Sequence, residues 1–454
     1  MPRRDSIHIE PDARTWARLI GESWSRVRRS PEILRAREEL GLPTDRPVVM
    51  SGHQTLFWHP GILAKWYAMD AAARAVGGAS AWIAVDHDTD DPAVIPYPSV
   101  VEGGVGRGVW RWDERFAPGI PPVMQAPRGE PSEAPADAAM PAAGQGLQRI
   151  RSAIVQHADA PSLAHQVMQA STSLVGGDVP RILYASELGS TFTMRVMLAR
   201  MEQDPERCVD SYNRAAAQHS ASGLRPLTAD AVNDRWELPL WRIVATGARE
   251  RVYAEDLRGQ KMRIAPRAIM LTGLLRSHAC DLFIHGLGGG IYDRACDDWF
   301  SAWMPGTALA ATAVVSATLR LSFPGVPMMS AAEGVEARAR AAWRMHHAMH
   351  NPGVVGDATG QRQKLAMVDT IAGSGRGGPE RRRAYLAMHE RIDAHRRVHA
   401  SGLRALHDEV RLIERAVESG LQAGARDWPF ALYPREQIAA LQSEIEVAFA
   451  GPHA

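Results

Sequence analysis

PVVMSGHQTLFWHPGILAKWYAMDAAARAVGGASAWIAVDHDTDD, residues 47–91, decides the fold. A short apolar run, Val48 to Met50, stops at Ser51-Gly52-His53-Gln54. Proline suits a helix's first turn and glycine its end, so Pro60 and Gly77-Gly78 bound a helix over about 60–76. A second apolar run, Ala81 to Val85, ends in Asp86-His87-Asp88-Thr89-Asp90-Asp91. Strand, helix and strand make a parallel β-α-β unit, whose crossover is right-handed. In open α/β sheets, ligands bind outside the carboxyl ends of the strands. Both strand exits here carry polar clusters, and these mark the candidate site.

Working outward, residues 10–41 carry Trp16, Leu19, Ile20, Trp24 and Val27 at helical spacing. Residues 117–146 are rich in Pro, Ala and Gly and read as a mobile or irregular insertion. Helix is expected over 146–175 and strand over 181–185. Residues 235–264, with WELPLWRIVAT, read as antiparallel hairpin-like strands. DLFIH (281–285) and AATAVVSA (310–317) are buried strands flanking a helix. Alternation of this kind predicts an α/β fold with a doubly wound parallel core and inserted modules. From 331 onward the chain reads as helix, with an exposed connection between 349 and 378. Residues 379–420 form a long apolar stripe suited to a partner helix or a second copy. The expected divisions are therefore 1–43, 44–100, 101–180, 181–330 and 331–454.

Composition bounds the function. The 454 residues are 45% hydrophobic and 23% charged, and the formal net charge is +1. Nothing there builds the basic field that nucleic acid or an anionic membrane requires. No apolar run approaches bilayer length. The three cysteines, Cys208, Cys280 and Cys296, are dispersed and form no CxxC. That pattern fits a cytoplasmic protein with buried cysteines rather than a disulfide framework.

Several residues are candidates for chemistry. Gly52 permits close backbone approach, and His53, Gln54 and His59 bring two imidazoles and an amide to a strand exit. Lys65 would reach a bound phosphate or carboxylate as a point charge. Asp86, His87 and Asp88 would hold an ammonium or Mg²⁺, or act as general base, with Asp86 and Asp88 on one side of an extended chain. Asp91 belongs to the same acidic run. His285 leads into Gly286-Leu287-Gly288-Gly289-Gly290, followed by Tyr292 and Asp293 in a helix's first turn. This is a second cradle for an anion, although it matches neither GxGxxG nor the Walker spacing. Arg276, Arg320 and Lys261 are weaker candidates for closing over a phosphate. His346, His347 and His350, like His395 and His399, are read as structural or exposed, and no metal site is expected.

At the Gly52 loop and the Asp86 cluster the chain resembles the cysteine-adding enzymes of bacillithiol synthesis, the cysteine ligases. That family has Thr-Gly-Gln-Gln at a strand end, a Gly-Pro helix start, and Trp-Ile-Ala followed by Glu-Asp-His-Asp. The matching residues here are Ser51-Gly52-His53-Gln54, Pro60-Gly61, Trp82-Ile83-Ala84 and Asp86-His87-Asp88. His53 stands where the family has its first Gln, and the acidic cluster lacks the preceding Glu. The resemblance implies a Rossmann-like core, inserts, and a C-terminal coiled-coil region used for homodimerisation. It implies joining cysteine to the amine of glucosaminyl-malate, with ATP and Mg²⁺ activating the carboxylate. Alternatives on the same core are a nucleotidyl-transfer enzyme and a non-catalytic ligand-binding protein.

Overall fold

The structure, a computed structural model, describes residues 6–28, 30–233, 235–258 and 262–450. In chain order its strands are β1 (Ser6–Glu10), β2 (Val48–Gln54), β3 (Ala79–Val85), β4 (Val94–Val101), β5 (Gly104–Arg111) and β6 (Arg181–Tyr184). They continue as β7 (Ala229–Asp230), β8 (Arg235–Ile243), β9 (Arg249–Tyr253), β10 (Ile264–Pro266), β11 (Leu282–His285) and β12 (Ala311–Thr318). Fourteen α-helices accompany them among the described residues.

Six strands form the main sheet, in the order β1-β12-β11-β2-β3-β6. All neighbours are parallel except β1, which runs antiparallel to β12. The expected mostly parallel α/β core is therefore present. From β2 the chain proceeds to β3 and then β6 on one side. From β11 it proceeds to β12 on the other. The crossovers diverge between β2 and β11, and such a divergence opens a crevice at the strands' carboxyl ends.

Both faces of the sheet are covered, which explains why its strands read as continuous apolar runs. Val48, Met50, Ala81, Ile83 and Leu183 share one buried cluster with Met194, Met197, Trp299 and Phe300. The helix Pro60–Ala75 is buried along nearly its whole length. It packs against β12 and against the final helix, Arg435–Phe449. Near its start, Trp58, Trp66 and Trp82 form a cluster with ring centroids 4.9–5.3 Å apart. The strands β7 to β10 form a separate antiparallel sheet, as the sequence of residues 235–264 leads one to expect.

A buried ion pair fixes the start of the core. Arg37 Nη2 donates to Asp281 Oδ2 at 2.8 Å, and both side chains are fully buried. The same oxygen accepts from the Val48 amide at 2.7 Å. One carboxylate thus ties the first turn of β2 to the entry of β11.

The chain divides into two compact units. Of the described residues, the larger holds those up to Tyr97, then those of Gly108–Arg320, then those from Arg426 onward. The smaller holds Pro98–Arg107, the tip of the β4–β5 hairpin, together with Leu321–Ala425. Its helices are Ala331–Ala348, Ala358–Gly373, Pro379–Val398 and Ala400–Ala423. The first packs on the last and the middle two pack on each other. Gly334 lets the first pair approach, because a Cβ there would lie 2.0 Å from Val417 Cγ2.

Several local expectations need correction. Residues 6–10 form an edge strand, its alternation of exposed and half-buried positions overlooked in favour of the following helix. The helix of residues 10–41 is two helices, Trp16–Val27 and Pro31–Glu39, because Ser30 caps a new start at Pro31. The stripe over 379–420 is broken at His399, and 349–378 contains a helix rather than a bare connection. The last helix belongs to the sheet-bearing unit rather than to the region 331–454. Residues 117–140 are irregular but pinned: the Gln125 side chain exchanges hydrogen bonds with Ala117, and Arg128 Nε pairs with Asp113 at 2.5 Å. Among the described residues no helix is long and apolar enough to cross a membrane.

Candidate functional site

A cleft of about 710 Å³ opens at the carboxyl ends of β2, β3 and β11. Gly52, His53 and Gln54 line it from β2, His87 and Asp88 from the turn after β3, and His285 from β11. Gly289 and Tyr292 enter from the first turn of the helix Gly289–Trp303. Sequence-chosen residues from three separate stretches therefore meet at one place.

The insert sheet supplies the facing wall, with Glu237, Trp241, Arg249 and Arg251, followed by Arg267. Arg225 lies at its exposed rim. None of these residues carries a local motif in the sequence. Trp241 is flanked by two guanidiniums, with Arg267 Cζ 3.9 Å and Arg249 Cζ 4.8 Å from its ring centre. Glu237 accepts from Arg267 at 2.7 Å and from Arg251 at 3.3 Å. Burial would raise its carboxyl pKa, but the hydrogen bonds from Arg267 and Thr228 outweigh it and hold the pKa below the ordinary range. Asp88 pairs with Arg249 at 3.2 Å and accepts from Gln54 Nε2 at 3.4 Å. Four arginines thus face two carboxylates in this cleft, leaving an excess of fixed positive charge. The buried Nη2 of Arg267 and the buried Nδ1 of His87 have no hydrogen-bond partner. Buried polar atoms of this kind are ordinarily satisfied, so both are suited to a bound group.

Beneath the floor, Lys65 Nζ donates to the Gly52 carbonyl at 2.5 Å and sits 5.4 Å from the Trp82 ring centre. Lys65 is buried, and desolvation brings its pKa down to about 7. Desolvation, with Lys65 nearby, also holds His53 well below the usual imidazole range. Under His285, Asp293 is buried with its Oδ1 2.8 Å from His285 Nε2, off the line of a hydrogen bond, and 3.5 Å from Arg276 Nη1. Gly289 has to be glycine: a Cβ there would lie 2.5 Å from the His285 ring.

Other sequence candidates stand outside the cleft. Asp86 is fully buried and takes two hydrogen bonds from Ser186, from the amide at 2.8 Å and the hydroxyl at 2.6 Å. It clamps the end of β3 to the turn after β6. The expectation that Asp86 and Asp88 share a side fails because the strand ends at Val85, and strand alternation stops there. His59 is the N-cap of Pro60–Ala75, its Nδ1 accepting from the Gly61 amide at 3.0 Å. Asp91 pairs with Arg111 at 2.8 Å. Gly288 and Gly290 flank the cradle without lining it. Arg276 is spent on Ala310 O and Asp297, and Arg320 also lies away from the cleft. Lys261 lies outside the described residues. Cys208, Cys280 and Cys296 are buried, and burial raises their thiol pKa values.

No protein-family model matches the chain, and no curated protein matches it.

Proposed function

We propose that this protein is an amide-forming ligase of the cysteine-adding type, joining an amino-acid carboxylate to the amine of a sugar such as glucosaminyl-malate. The observation that carries the reading is the cationic cleft where the sheet's crossovers diverge, lined by Arg267 and His87, whose buried Nη2 and Nδ1 have no hydrogen-bond partner. The order of its parallel strands, β6-β3-β2-β11-β12, supports the Rossmann-like description, since it follows the 3-2-1-4-5 order of doubly wound nucleotide-binding sheets.

Arg249, Arg251 and Arg267 would hold the anionic end of the substrates, and Trp241 would offer a flat apolar face. His87, whose buried Nδ1 is without a hydrogen-bond partner and lies 3.8 Å from Asp86 Oδ1, would take a proton from the attacking amine. Asp88, already paired with Arg249, would orient that amine. Asp86 is assigned to holding the turn. ATP fits the cleft on charge and on the unpartnered Arg267 Nη2, and when bound it would supply activation of the carboxylate. Tight walls from two sheets would exclude water from the activated acid. The helical unit exposes Val335, Trp343, Leu365, Leu386 and Leu412. Apolar exposure of that extent supports the pairing of two copies.

A thermal-shift screen tests the reading, because a ligand that binds only the folded state raises the melting temperature. ATP, ADP, cysteine and glucosaminyl-malate are tried singly and paired, with and without Mg²⁺, followed by a mass assay for the amide product. Product formed by the wild type and lost in Asp88→Asn, with folding intact, is the expected result. A shift with nucleotide alone and pyrophosphate release without amine would replace the ligase by a nucleotidyl transferase. Binding with no product in any mixture would replace it by a ligand sensor.

A further inference from the structure

In the helical unit, Asp357, His395 and His399 each place a ligand atom within 4.8 Å of the others. They come from three places in the chain. Asp357 caps the helix Ala358–Gly373, His395 lies in the last turn of Pro379–Val398, and His399 is the junction to Ala400–Ala423. From this geometry we propose a divalent transition-metal site, of the zinc class, that staples these helices together.

The hydrogen bonding already present prepares the ligands. His395 Nε2 lies 2.9 Å from the Ala348 carbonyl oxygen. A carbonyl can only accept, so Nε2 carries the proton and Nδ1 keeps its lone pair. That Nδ1 is buried and has no partner, and the residue is only 4% exposed. Metal-binding histidines characteristically donate their other ring N–H to a carbonyl or carboxylate in this way. His399 Nε2 lies 3.5 Å from Asp357 Oδ2, and the two imidazole centroids are 5.0 Å apart. Asp357 Oδ1 is fixed by the Gly360 amide at 2.7 Å. That bond, with His399 and Arg391 nearby, lowers the Asp357 carboxyl pKa, so the ligand is ionised at neutral pH. Two imidazoles and a carboxylate leave a fourth position for water, the ligand set of many three-residue zinc sites. Zinc bonds of about 2.0–2.2 Å in tetrahedral geometry put ligand atoms roughly 3.3 Å apart, so the three atoms, within 4.8 Å of one another, close by up to about 1.5 Å on an ion. The i, i+4 spacing of His395 and His399 is visible in the sequence, but the third ligand, Asp357, caps another helix.

The test uses the full-length, tag-free protein, stripped with chelator and titrated with Zn²⁺ by calorimetry and with Co²⁺ by visible absorption. One equivalent bound, a tetrahedral Co²⁺ spectrum and a raised melting temperature are expected. Asp357→Asn and His399→Gln should each weaken binding by more than about tenfold. Asn is a good N-cap, so Asp357→Asn keeps the helix start while removing the charge. Circular dichroism of both variants verifies the fold. Absence of stoichiometric uptake by the wild type, or unchanged uptake in the two folded variants, overturns the site.

Discussion

Lys65 lies directly under Gly52, its ammonium donating to that residue's carbonyl at 2.5 Å. A charge held just beneath the cleft floor would favour a bound anion only while it is protonated. With its pKa brought down to about 7, Lys65 loses that charge as pH rises through neutrality. Anion binding in the cleft should weaken about fivefold between pH 6 and pH 8, the effect of roughly 1 kcal/mol at partly screened range. Lys65→Met should flatten this profile. Calorimetric titration with ATP across that range reads both, and an unchanged slope in the variant would remove Lys65 from the site's electrostatics.

His59 makes the fold sensitive to acid. Burial first, then Arg426 and Lys65, lowers its pKa from 6.5 to about 4. The unfolded chain therefore binds the proton more readily. The resulting stability is fully present above pH 6.5 and is lost as pH falls through 4, by about 3 kcal/mol in all. His59→Asn keeps a capping side chain without a titrating ring. Urea unfolding at pH 7 and pH 4.5 should show a smaller loss in the variant than in the wild type.

The Arg37–Asp281 pair is a point where one atom's removal is costly. Asp281→Ala would strand a buried guanidinium and the Val48 amide together. Loss of one partner of a buried pair costs about 3–5 kcal/mol. Replacing both, Arg37→Met with Asp281→Leu, should recover part of that loss. Denaturant midpoints of the three proteins decide it, and a mild single variant would show the pair to be unimportant.

Two glycines at the cleft are fixed by close packing. A Cβ on Gly52 would lie 2.4 Å from the Ile83 carbonyl oxygen, a backbone atom of the neighbouring strand. Gly52→Ala should destabilise by about 1–3 kcal/mol or more, since overpacked cores relax poorly. A Cβ on Gly289 would lie 2.5 Å from His285 Nδ1 and 2.6 Å from His285 Cβ, an atom no side-chain rotation moves. Gly289→Ala should therefore lower the melting temperature as well, by roughly 1–3 kcal/mol of stability. An unchanged melting temperature in Gly289→Ala would show that the helix start can shift away from His285.

The floor of the cleft was legible because parallel strands advertise themselves. Val48 to Met50 and Ala81 to Val85 are apolar throughout, and each ends at a polar cluster. Those clusters lie within one local unit, so spacing alone brings them to one edge. The arginine wall was not legible, because Arg249, Arg251 and Arg267 reach the site through a separate sheet, and no short-range pattern records that arrival. Asp86 shows a different difficulty. Its neighbours in sequence are acidic, but its partner is Ser186, a hundred residues on. The Asp91 side chain is likewise engaged by Arg111, a partner the run of acids gave no hint of.

The pairing of β1 with β12 sets an order on synthesis. Ser6 lies opposite Thr318 and Glu10 opposite Val314. β1 thus waits for about three hundred residues of synthesis before its partner exists. During that interval β12's place at the sheet margin has yet to be made, and Ile7 and Ile9 have no sheet to join. Contacts so distant in sequence form slowly, and unpaired strands invite other chains in the meantime. The nascent protein therefore depends on completing β12 before β1 can be retired from solution.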